Sequence, residues 1–324
     1  MKHLSLRFKL YGLVISLLLV MGISIVVTAQ LSLGSMEERL SRETRDTVQN
    51  IVMDQLSATA GQYGEMVTGL FETAYQTPEV VRSLITRNIE TDSSGRISRR
   101  DLQETIGTIL SEQQHLSSIY AQFEPDAYDG MDIYFTDGVE EHSSDEGTLE
   151  IYYYRDPNGD VLFSRTEDPA TKYLDERNEF GIREAEWYLC SMDTKEPCIM
   201  EPYEYEIEEG YSELMTSLVV PIQNNGEFAG VSGVDINLST LQATIAGVSQ
   251  ALFDGESRVS LLSEGGLIAA SSHYQSHLGR PLQEAVPDLA DEFVRLHQRG
   301  GRFDDGQTLA VAYPVEVQLA GTEW

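Results

Sequence analysis

The chain has 324 residues, of which 53 are Asp or Glu and 22 are Lys or Arg, giving a formal net charge of −31. Binding to nucleic acid requires clustered cationic side chains, so this balance argues against a nucleic-acid partner. Hydrophobic residues make up 41% of the sequence, a content that argues against a disordered tail and indicates a folded chain.

An uncharged apolar segment lies near the N-terminus. Its core, from Leu10 to Leu31, consists mainly of Leu, Ile, Val and Met. About 20 such residues allow a helix to cross roughly 30 Å of hydrocarbon. A cleaved signal peptide has a shorter apolar region and a small-residue cleavage site, which Val27 to Gln30 resembles poorly. We therefore predict a retained transmembrane helix over residues 10–31.

The charges on either side of this segment predict its orientation. Lys2, Arg7 and Lys9 precede it, whereas acidic residues follow it from Glu37 onward. Cationic residues beside a membrane span favour the cytoplasmic side. We therefore expect residues 1–9 in the cytoplasm, a single span in the inner (cytoplasmic) membrane, and a periplasmic or extracellular location for everything that follows.

Helical patterns occupy the next part of the chain. Residues 34–75 carry apolar side chains at spacings of three and four, which predicts a long helix. Thr77 and Pro78 would cap and begin a second helix that ends near Ile89, and a third is predicted from Arg99 to Gln114. Long helices of this kind often pack in pairs, so we expect a homodimer.

Short β-branched and aromatic runs, separated by turn residues, follow these helices. The predicted strands span residues 119–123, 131–135, 149–154, 161–164, 214–222 and 229–236. Asn224-Asn225-Gly226, between the last two, is a strong hairpin turn. Helices followed by antiparallel strands predict an α+β domain.

A second, smaller unit is predicted from Leu238 onward. Its elements are a helix over 240–254, strands over 257–262 and 267–271, a helix over 289–298 and a final pair of strands within 308–317. The chain ends at Trp324 inside a predicted strand. We therefore expect a second membrane span and a cytoplasmic output domain to lie outside this sequence.

Cys190 and Cys198 are the two cysteines of the chain. Outside the cytoplasm, two neighbouring cysteines without a His pair predict a disulfide. Closing so short a loop would stabilise the fold by about 2–3 kcal/mol. Their spacing does not suit a metal site, and we predict no metal and no cofactor.

Four segments resemble the signatures of double Cache sensor domains. These domains lie in the periplasm in methyl-accepting chemotaxis receptors, and less often in sensor kinases and cyclic-di-GMP enzymes. The resemblance covers residues 34–324. It implies two stacked PAS-like antiparallel sheets on a long helix, with the ligand in the membrane-distal module (34–237) and not in the membrane-proximal one (238–324). The four segments are Glu124 to Asp132, Trp187-Tyr188, Glu201-Pro-Tyr203 and Gly233 to Ile236.

The resemblance also implies a binding site. Amino-acid-binding members carry an Arg two residues before the Trp, and this Arg grips the ligand carboxylate. Here Trp187, Tyr188, Tyr203 and Asp235 match the pattern, but Ala185 stands at the Arg position. Without that Arg, a carboxylate ligand loses a charge-assisted pair worth a few kcal/mol. We therefore favour a small amine or polyamine, with a free amino acid as the alternative.

The residues themselves suit a cation. The aromatic side chains above could form a cage around an ammonium group, worth up to about 2 kcal/mol. Asp235 and Glu201 could neutralise its charge, and Tyr120, Tyr134 and Tyr152 on predicted strands are further candidates. Each of these residues could instead fill the core. The net acidity likewise has two interpretations, a solvated surface suited to a saline habitat or a field that attracts a cationic ligand.

The known catalytic motifs give no support for an enzyme. The sequence contains no Gly-x-Ser-x-Gly elbow, phosphate-binding Gly loop or His-Glu-x-x-His pair. We therefore predict no catalytic residues, and an extracytoplasmic hydrolase is the alternative of a different class. A histidine kinase or a diguanylate cyclase remains an alternative to a chemotaxis receptor, because the output domain cannot be read from this sequence.

Overall fold

The computed structural model describes residues 6–91, 95–208, 210–251, 257–317 and 322–323. Lys2 and Trp324, on which two expectations depended, lie outside these residues, as do the side chains of Arg7 and Lys9. The end of the helix predicted over 240–254 also falls outside them. The chain divides into two compact units, Met1–Ala58 and Thr59–Trp324.

The first unit, as far as it is described, is the N-terminal part of one long helix. This helix, α1, spans Leu6–Ile89. It is long and apolar enough to cross a membrane, with a mean hydropathy of 2.6 in its most apolar stretch, none of which is buried inside the protein. A helix that is apolar all round but unburied suits a lipid environment, in agreement with the span predicted over residues 10–31.

The prediction of a separate helix beginning at Pro78 is wrong, because α1 continues through this residue to Ile89. A proline inside a helix removes one hydrogen bond and costs about 3 kcal/mol. On either side of it, Ala74, Val81 and Ile85 are fully buried. Burying a Val or Ile side chain stabilises by about 1.5–3 kcal/mol, so tertiary packing offsets the local cost.

Helix α2 spans Arg99–Glu112 and confirms the third predicted helix. The hydroxyl of Ser98 accepts a hydrogen bond from the Asp101 amide and caps its first turn. Leu102, Ile106 and Leu110, spaced by four, are fully buried. The helix therefore packs one apolar face against the core.

A seven-stranded antiparallel sheet forms the centre of the second unit. The strand order is β3-β2-β1-β7-β6-β4, and β5 also pairs with β6. This arrangement confirms the α+β class. The strands are β1 (Ser118–Phe123), β2 (Glu150–Arg155), β3 (Val161–Phe163), β4 (Cys198–Ile199), β5 (Tyr203–Glu208), β6 (Tyr211–Asn224) and β7 (Glu227–Asn237).

The hairpin turn predicted between β6 and β7 is confirmed. Asn224 pairs with Glu227, and the two residues between them have positive φ, 52° at Asn225 and 84° at Gly226. Asn and Gly tolerate this backbone conformation better than other residues.

The strand predicted over 131–135 is wrong, since Asp132–Tyr134 forms a short 3₁₀ helix. The side chain of Asp132 is turned inward, where it pairs with the buried guanidinium of Arg99. The same carboxylate accepts a hydrogen bond from the Asp126 amide at 2.6 Å. These contacts close the segment into a loop and prevent an extended backbone.

The two faces of the sheet have different partners, because successive side chains of a strand point to opposite sides. On the first face, Ile119 and Ala121 of β1 and Val234 of β7 join the main hydrophobic core together with residues of α1 and α2. On the second face, Tyr120 of β1 pairs with Gly233 of β7. This second face is rich in tyrosine and includes the buried Asp235.

The remaining elements cover the second face or follow the sheet. The 3₁₀ segment Pro169–Tyr173 and helix α3 (Glu186–Thr194) lie between β3 and β4 in the chain. After β7, the described residues contain three separate two-stranded ladders where a second sheet was expected. The later elements are α4 (Leu238–Ala251), β8 (Ser260–Leu262), β9 (Ile268–Ser271), α5 (Leu282–Ala285), α6 (Ala290–Arg299), β10 (Gly301–Asp304), β11 (Leu309–Ala312), β12 (Glu316–Val317) and β13 (Thr322–Glu323).

Candidate functional site

A disulfide joins Cys190 to Cys198, as predicted, with 6.4 Å between the two Cα atoms. It connects α3 to β4, which pairs with β6. The bond therefore holds α3, with Trp187 in its first turn, against the edge of the sheet.

A buried carboxylate lies at the centre of the second face. Asp235 of β7 is 2% exposed. In the strand register, Ser118 of β1 and Ser217 of β6 lie directly opposite it on either side. Both hydroxyls donate to the carboxylate, Ser217 at 2.6 Å. The hydroxyl of Tyr203 lies 2.7 Å from Ser217 Oγ and extends the network to β5.

This carboxylate lacks a cationic partner. Burial raises the pKa of Asp235 to about 6, although the two serine hydroxyls act in the opposite direction. In the part of the chain that the structure describes, no Lys, Arg or His forms an ion pair with it. A buried charge without a partner costs several kcal/mol, and such groups are concentrated at functional sites.

Burial and the nearby charge of Asp235 raise the pKa values of four tyrosines, and Trp187 packs against one of them. We refer to these five aromatic side chains as the tyrosine cluster. The Tyr120 ring lies 5.5 Å from that of Trp187 and 6.3 Å from that of Tyr152. The Tyr205 ring lies 6.1 Å from Tyr152 and 6.4 Å from Tyr203. The cluster consists of Tyr120, Tyr152, Trp187, Tyr203 and Tyr205.

Two hydroxyls of the cluster are not satisfied. Tyr120 and Tyr152 are 3% and 8% exposed. Their hydroxyl oxygens are enclosed, with Ser217 and Ser118 as polar neighbours, but they form no hydrogen bond of standard geometry. Leaving a buried polar group unpaired costs about 1–3 kcal/mol. The cluster therefore combines π faces, one unpaired carboxylate and two free hydroxyls, the chemistry that suits a cation with N–H donors.

A second charged network lies beside the cluster on the same side of the sheet. Lys172 and Glu150 form an ion pair at 2.5 Å, with side chains 1% and 0% exposed. The Lys172 ammonium also donates to the Phe123 carbonyl and lies 5.4 Å from the ring centre of Tyr188. Burial raises the pKa of Glu150 to about 7, and Lys172 opposes this rise.

Comparison with known proteins assigns this arrangement to a family. A family model described as "Methyl-accepting chemotaxis protein-like, first PDC sensor domain" matches residues 103–243. The methyl-accepting chemotaxis protein TlpQ of Pseudomonas aeruginosa is 31% identical over 230 residues. The chain carries a Cache-type sensor domain similar to those of methyl-accepting chemotaxis receptors. The matched stretch makes up 70% of this chain and 32% of TlpQ, so the chain spans about a third of that relative's length.

Solved structures show the same fold. A structure described as "Methyl-accepting Chemotaxis protein X" superposes with a TM-score of 0.67 at 20% identity, covering 86% of this chain and 96% of that one. The extracellular domain assigned to a histidine kinase, mmHK1S-Z3, gives a TM-score of 0.64 at 21% identity, covering 84% and 92%. At these identities the similarity establishes the Cache fold alone.

The structure brings together five of the site residues that the sequence predicted, namely four aromatic residues and Asp235. Tyr120, Tyr152, Trp187 and Tyr203 belong to the tyrosine cluster around Asp235.

Tyr188 lies next to Trp187, with 5.7 Å between their rings, but its side chain has other partners. It is fully buried, and its hydroxyl donates to Glu124 at 2.5 Å. The Tyr173 hydroxyl donates to the same carboxylate at 2.9 Å. Tyr188 therefore packs beside the tyrosine cluster while its hydroxyl is bound to Glu124.

Two proposed residues lie elsewhere. Tyr134 is 73% exposed on the 3₁₀ helix described above and does not reach the tyrosine cluster. Glu201 accepts hydrogen bonds from the Ser263 hydroxyl and, at 2.8 Å, from the Gly265 amide. Its carboxylate is therefore directed at the turn between β8 and β9, and the structure does not support the expectation that it neutralises the charge of a ligand cation.

Sequence reasoning missed three members of this site. Ser118 and Ser217 hold Asp235, and Tyr205 forms part of the cluster. A period of two along β5 would have placed Tyr205 on the same face as Tyr203. The serines could not be found in this way, because the register between strands decides which residues lie opposite Asp235.

The arginine nearest to the missing Arg position is already engaged. Arg183 donates to Glu186 at 2.5 Å and to Asp193 at 2.7 Å. Ala185 itself is 1% exposed and offers no charge. Arg183 therefore does not replace the guanidinium that the resemblance implied at position 185.

Proposed function

We propose that this chain is the ligand-binding sensor region of a transmembrane chemoreceptor, and that it binds a small amine or polyamine in the tyrosine cluster. One observation carries the proposal. Asp235 is a buried carboxylate with hydroxyl partners alone, enclosed by aromatic rings. A ligand ammonium would supply the missing positive charge and the N–H donors.

The aromatic rings strengthen this preference for a cation. An ammonium over the face of Trp or Tyr gains about 0.5–2 kcal/mol, and the gain is larger in a desolvated site. The unsatisfied hydroxyls of Tyr120 and Tyr152 can accept from the same group or from a second donor of the ligand.

The charges around the site disfavour a ligand whose own carboxylate needs a cationic partner. Lys172 is neutralised by Glu150, and Arg183 by Glu186 and Asp193. Arg183 lies four residues before Trp187, and the Lys172 ammonium lies 5.4 Å from the ring centre of Tyr188; both cations are in ion pairs. A free amino acid would therefore find its ammonium site, but Arg183 and Lys172 are already engaged and would not bind its carboxylate.

The proposed location follows from α1 and from the family. The apolar stretch of α1 would anchor the chain in the inner membrane, with the Cache domain on the periplasmic or extracellular side. In the first unit, Leu40, Val48 and Ile51 are 52%, 53% and 60% exposed. Exposed apolar side chains beyond a membrane span suit helix pairing, which supports the proposed homodimer.

The proposed signal starts as a change in the tyrosine cluster. Ligand binding would favour one of two arrangements of the receptor by its differential affinity for them. Glu201, two residues before Tyr203, contacts the β8–β9 turn directly. We propose that this contact transmits the change from the tyrosine cluster to the later part of the chain. Chemotaxis is the proposed output, and a kinase or a cyclase on the same sensor remains an alternative.

Calorimetric titration of the full chain in detergent micelles tests the ligand class. Putrescine, butylamine, amino acids and dicarboxylic acids should be compared, together with the variant Asp235→Asn. We expect amines to bind to the parent chain and to lose at least about tenfold in affinity in the variant, since a charged pair is replaced by a neutral one. Binding of dicarboxylic acids alone would contradict the proposal, and robust turnover of ester, glycoside or peptide substrates would favour the hydrolase.

A further inference from the structure

We propose that Glu213 forms a second ammonium subsite beside the tyrosine cluster, so that the Cache domain prefers elongated polyamines to monoamines. The inference rests on the proposed function, because it takes Asp235 as the site of the first ammonium. It assigns the ligand a second positive charge and a minimum length.

Glu213 lies on the same face of β6 as the residue that holds Asp235. It precedes Ser217 by four positions, and alternate residues of a strand share a face. Ser217 donates to Asp235 at 2.6 Å. Four residues of extended chain span at most about 14 Å between Cα atoms. The two carboxylates are therefore within reach of one elongated ligand.

Aromatic rings fill the interval between the two carboxylates. Tyr205 lies opposite Glu213 in the β5–β6 ladder. Its ring lies 6.1 Å from Tyr152 and 6.4 Å from Tyr203, and the Tyr203 hydroxyl reaches Ser217. Tyr205 is 37% exposed, so this end of the cluster opens to solvent. A methylene chain can pack on these rings while its two ends bind the acids.

The carboxylate of Glu213 is only half satisfied. The Tyr211 hydroxyl donates to Oε1, whereas Oε2 is enclosed and has no hydrogen-bond partner among the described residues. The hydroxyl of Tyr152, a residue 8% exposed, is also unsatisfied. Enclosed oxygens without donors are uncommon in folded proteins. An ammonium group brings three donors and the opposite charge.

Two other carboxylates of this hairpin, Glu204 and Glu206, do not offer such a site. The Glu206 carboxylate accepts a hydrogen bond from the Gly210 amide at 2.9 Å and stabilises the turn. Glu204 is exposed and points to the face opposite Tyr203 and Tyr205. Glu204→Gln is therefore a matched control, because it removes the same charge from the neighbouring strand without touching the cluster.

Titration of the full chain in detergent micelles with spermidine and butylamine tests the proposal. For Glu213→Gln we expect a loss of at least about tenfold in spermidine affinity, because a charge-assisted hydrogen bond is removed. Butylamine, which has one ammonium for Asp235, should change by less than about twofold. Glu204→Gln should leave both affinities unchanged. Glu213→Asp keeps the charge with a shorter reach and should weaken spermidine binding to an intermediate extent.

The outcomes separate this inference from the proposed function. Unchanged spermidine affinity in a folded Glu213→Gln variant, with amine binding still dependent on Asp235, would overturn the second subsite alone. Equal losses for spermidine and butylamine would also overturn it, because they would indicate a general disturbance of the site. If neither amine binds to the parent chain, the proposed function itself fails.

Discussion

The phenol ring of Tyr120 rests directly on Gly233, its partner in the β1–β7 ladder. A Cβ atom at position 233 would lie 2.2 Å from Tyr120 Cζ and 2.4 Å from its hydroxyl oxygen. Only a residue without a side chain leaves room for the ring to lie across β7 towards Ser217. The glycine in the Gly233 to Ile236 signature is therefore part of the proposed binding surface.

Gly233→Ala should displace the Tyr120 ring and weaken amine binding by at least about tenfold, with a loss of stability of about 1–3 kcal/mol from overpacking. Calorimetric titration and chemical denaturation of the same variant measure the two effects. The double variant Gly233→Ala with Tyr120→Phe keeps the clash with the ring and removes the hydroxyl. It therefore separates the effect of ring displacement on amine affinity from the effect of the hydroxyl. Unchanged amine affinity in Gly233→Ala would show that the position of Tyr120 does not matter.

Amine affinity should depend on pH through Asp235. Burial raises the pKa of this carboxyl to about 6 in the free protein, and a bound ammonium would favour the charged form and lower it. Affinity should therefore be constant above about pH 7 and fall as the pH decreases below 6, by up to about tenfold per pH unit. Titration between pH 5 and 8 measures the profile. The profile should be absent in Asp235→Asn, and a flat profile in the parent chain would contradict the role of Asp235.

The same raised pKa predicts the sign of a change in stability. Between its ordinary value and 6, Asp235 binds more protons in the folded than in the unfolded protein, so the free energy of unfolding should fall as the pH rises through this range. Glu150, with a pKa of about 7, acts in the same direction. Chemical denaturation of the parent chain and of Asp235→Asn at several pH values separates the contribution of Asp235 from that of Glu150. A steeper pH dependence in the variant would show that the sign for Asp235 is wrong.

Breaking the buried Lys172–Glu150 pair should be strongly destabilising. Lys172→Met leaves the Glu150 carboxylate, which is 0% exposed, without its cation, and the expected cost is about 3–5 kcal/mol. Replacing both residues, as in Lys172→Met with Glu150→Gln, should recover part of the loss. Denaturation midpoints measure both variants. A double variant that is no more stable than the single one would contradict this account.

Glu201→Ala should uncouple the β8–β9 turn from the sheet that carries the tyrosine cluster. The variant removes the acceptor for the Ser263 hydroxyl and the Gly265 amide. Hydrogen exchange at the Gly265 amide should become faster, while amine affinity should change by less than about threefold because Glu201 lies outside the cluster. Glu204→Ala is the control and should leave exchange unchanged. A large loss of amine affinity would indicate that Glu201 is part of the binding site.

Much of the fold could be predicted because it depends on local pattern. The spacing of Leu102, Ile106 and Leu110 indicated α2, and Asn225-Gly226 indicated the β6–β7 hairpin. The predictions for Pro78 and for residues 131–135 failed because residues distant in sequence determine the backbone conformation there. In the first case core packing carries the helix through a proline, and in the second the guanidinium of Arg99 holds Asp132 in a loop.

The sequence by itself determined the apolar helix, the α+β class, the disulfide and most of the aromatic residues, because hydrophobic period, turn chemistry and cysteine spacing are local properties. Only the tertiary structure decided which side chains share the site. The register of β1 and β6 against β7 places Ser118 and Ser217 on either side of Asp235. The path of the chain after β4 directs Glu201 to another turn, whereas the β5–β6 ladder places Tyr205 opposite Glu213. These are contacts between residues far apart in sequence, and no local pattern specifies them.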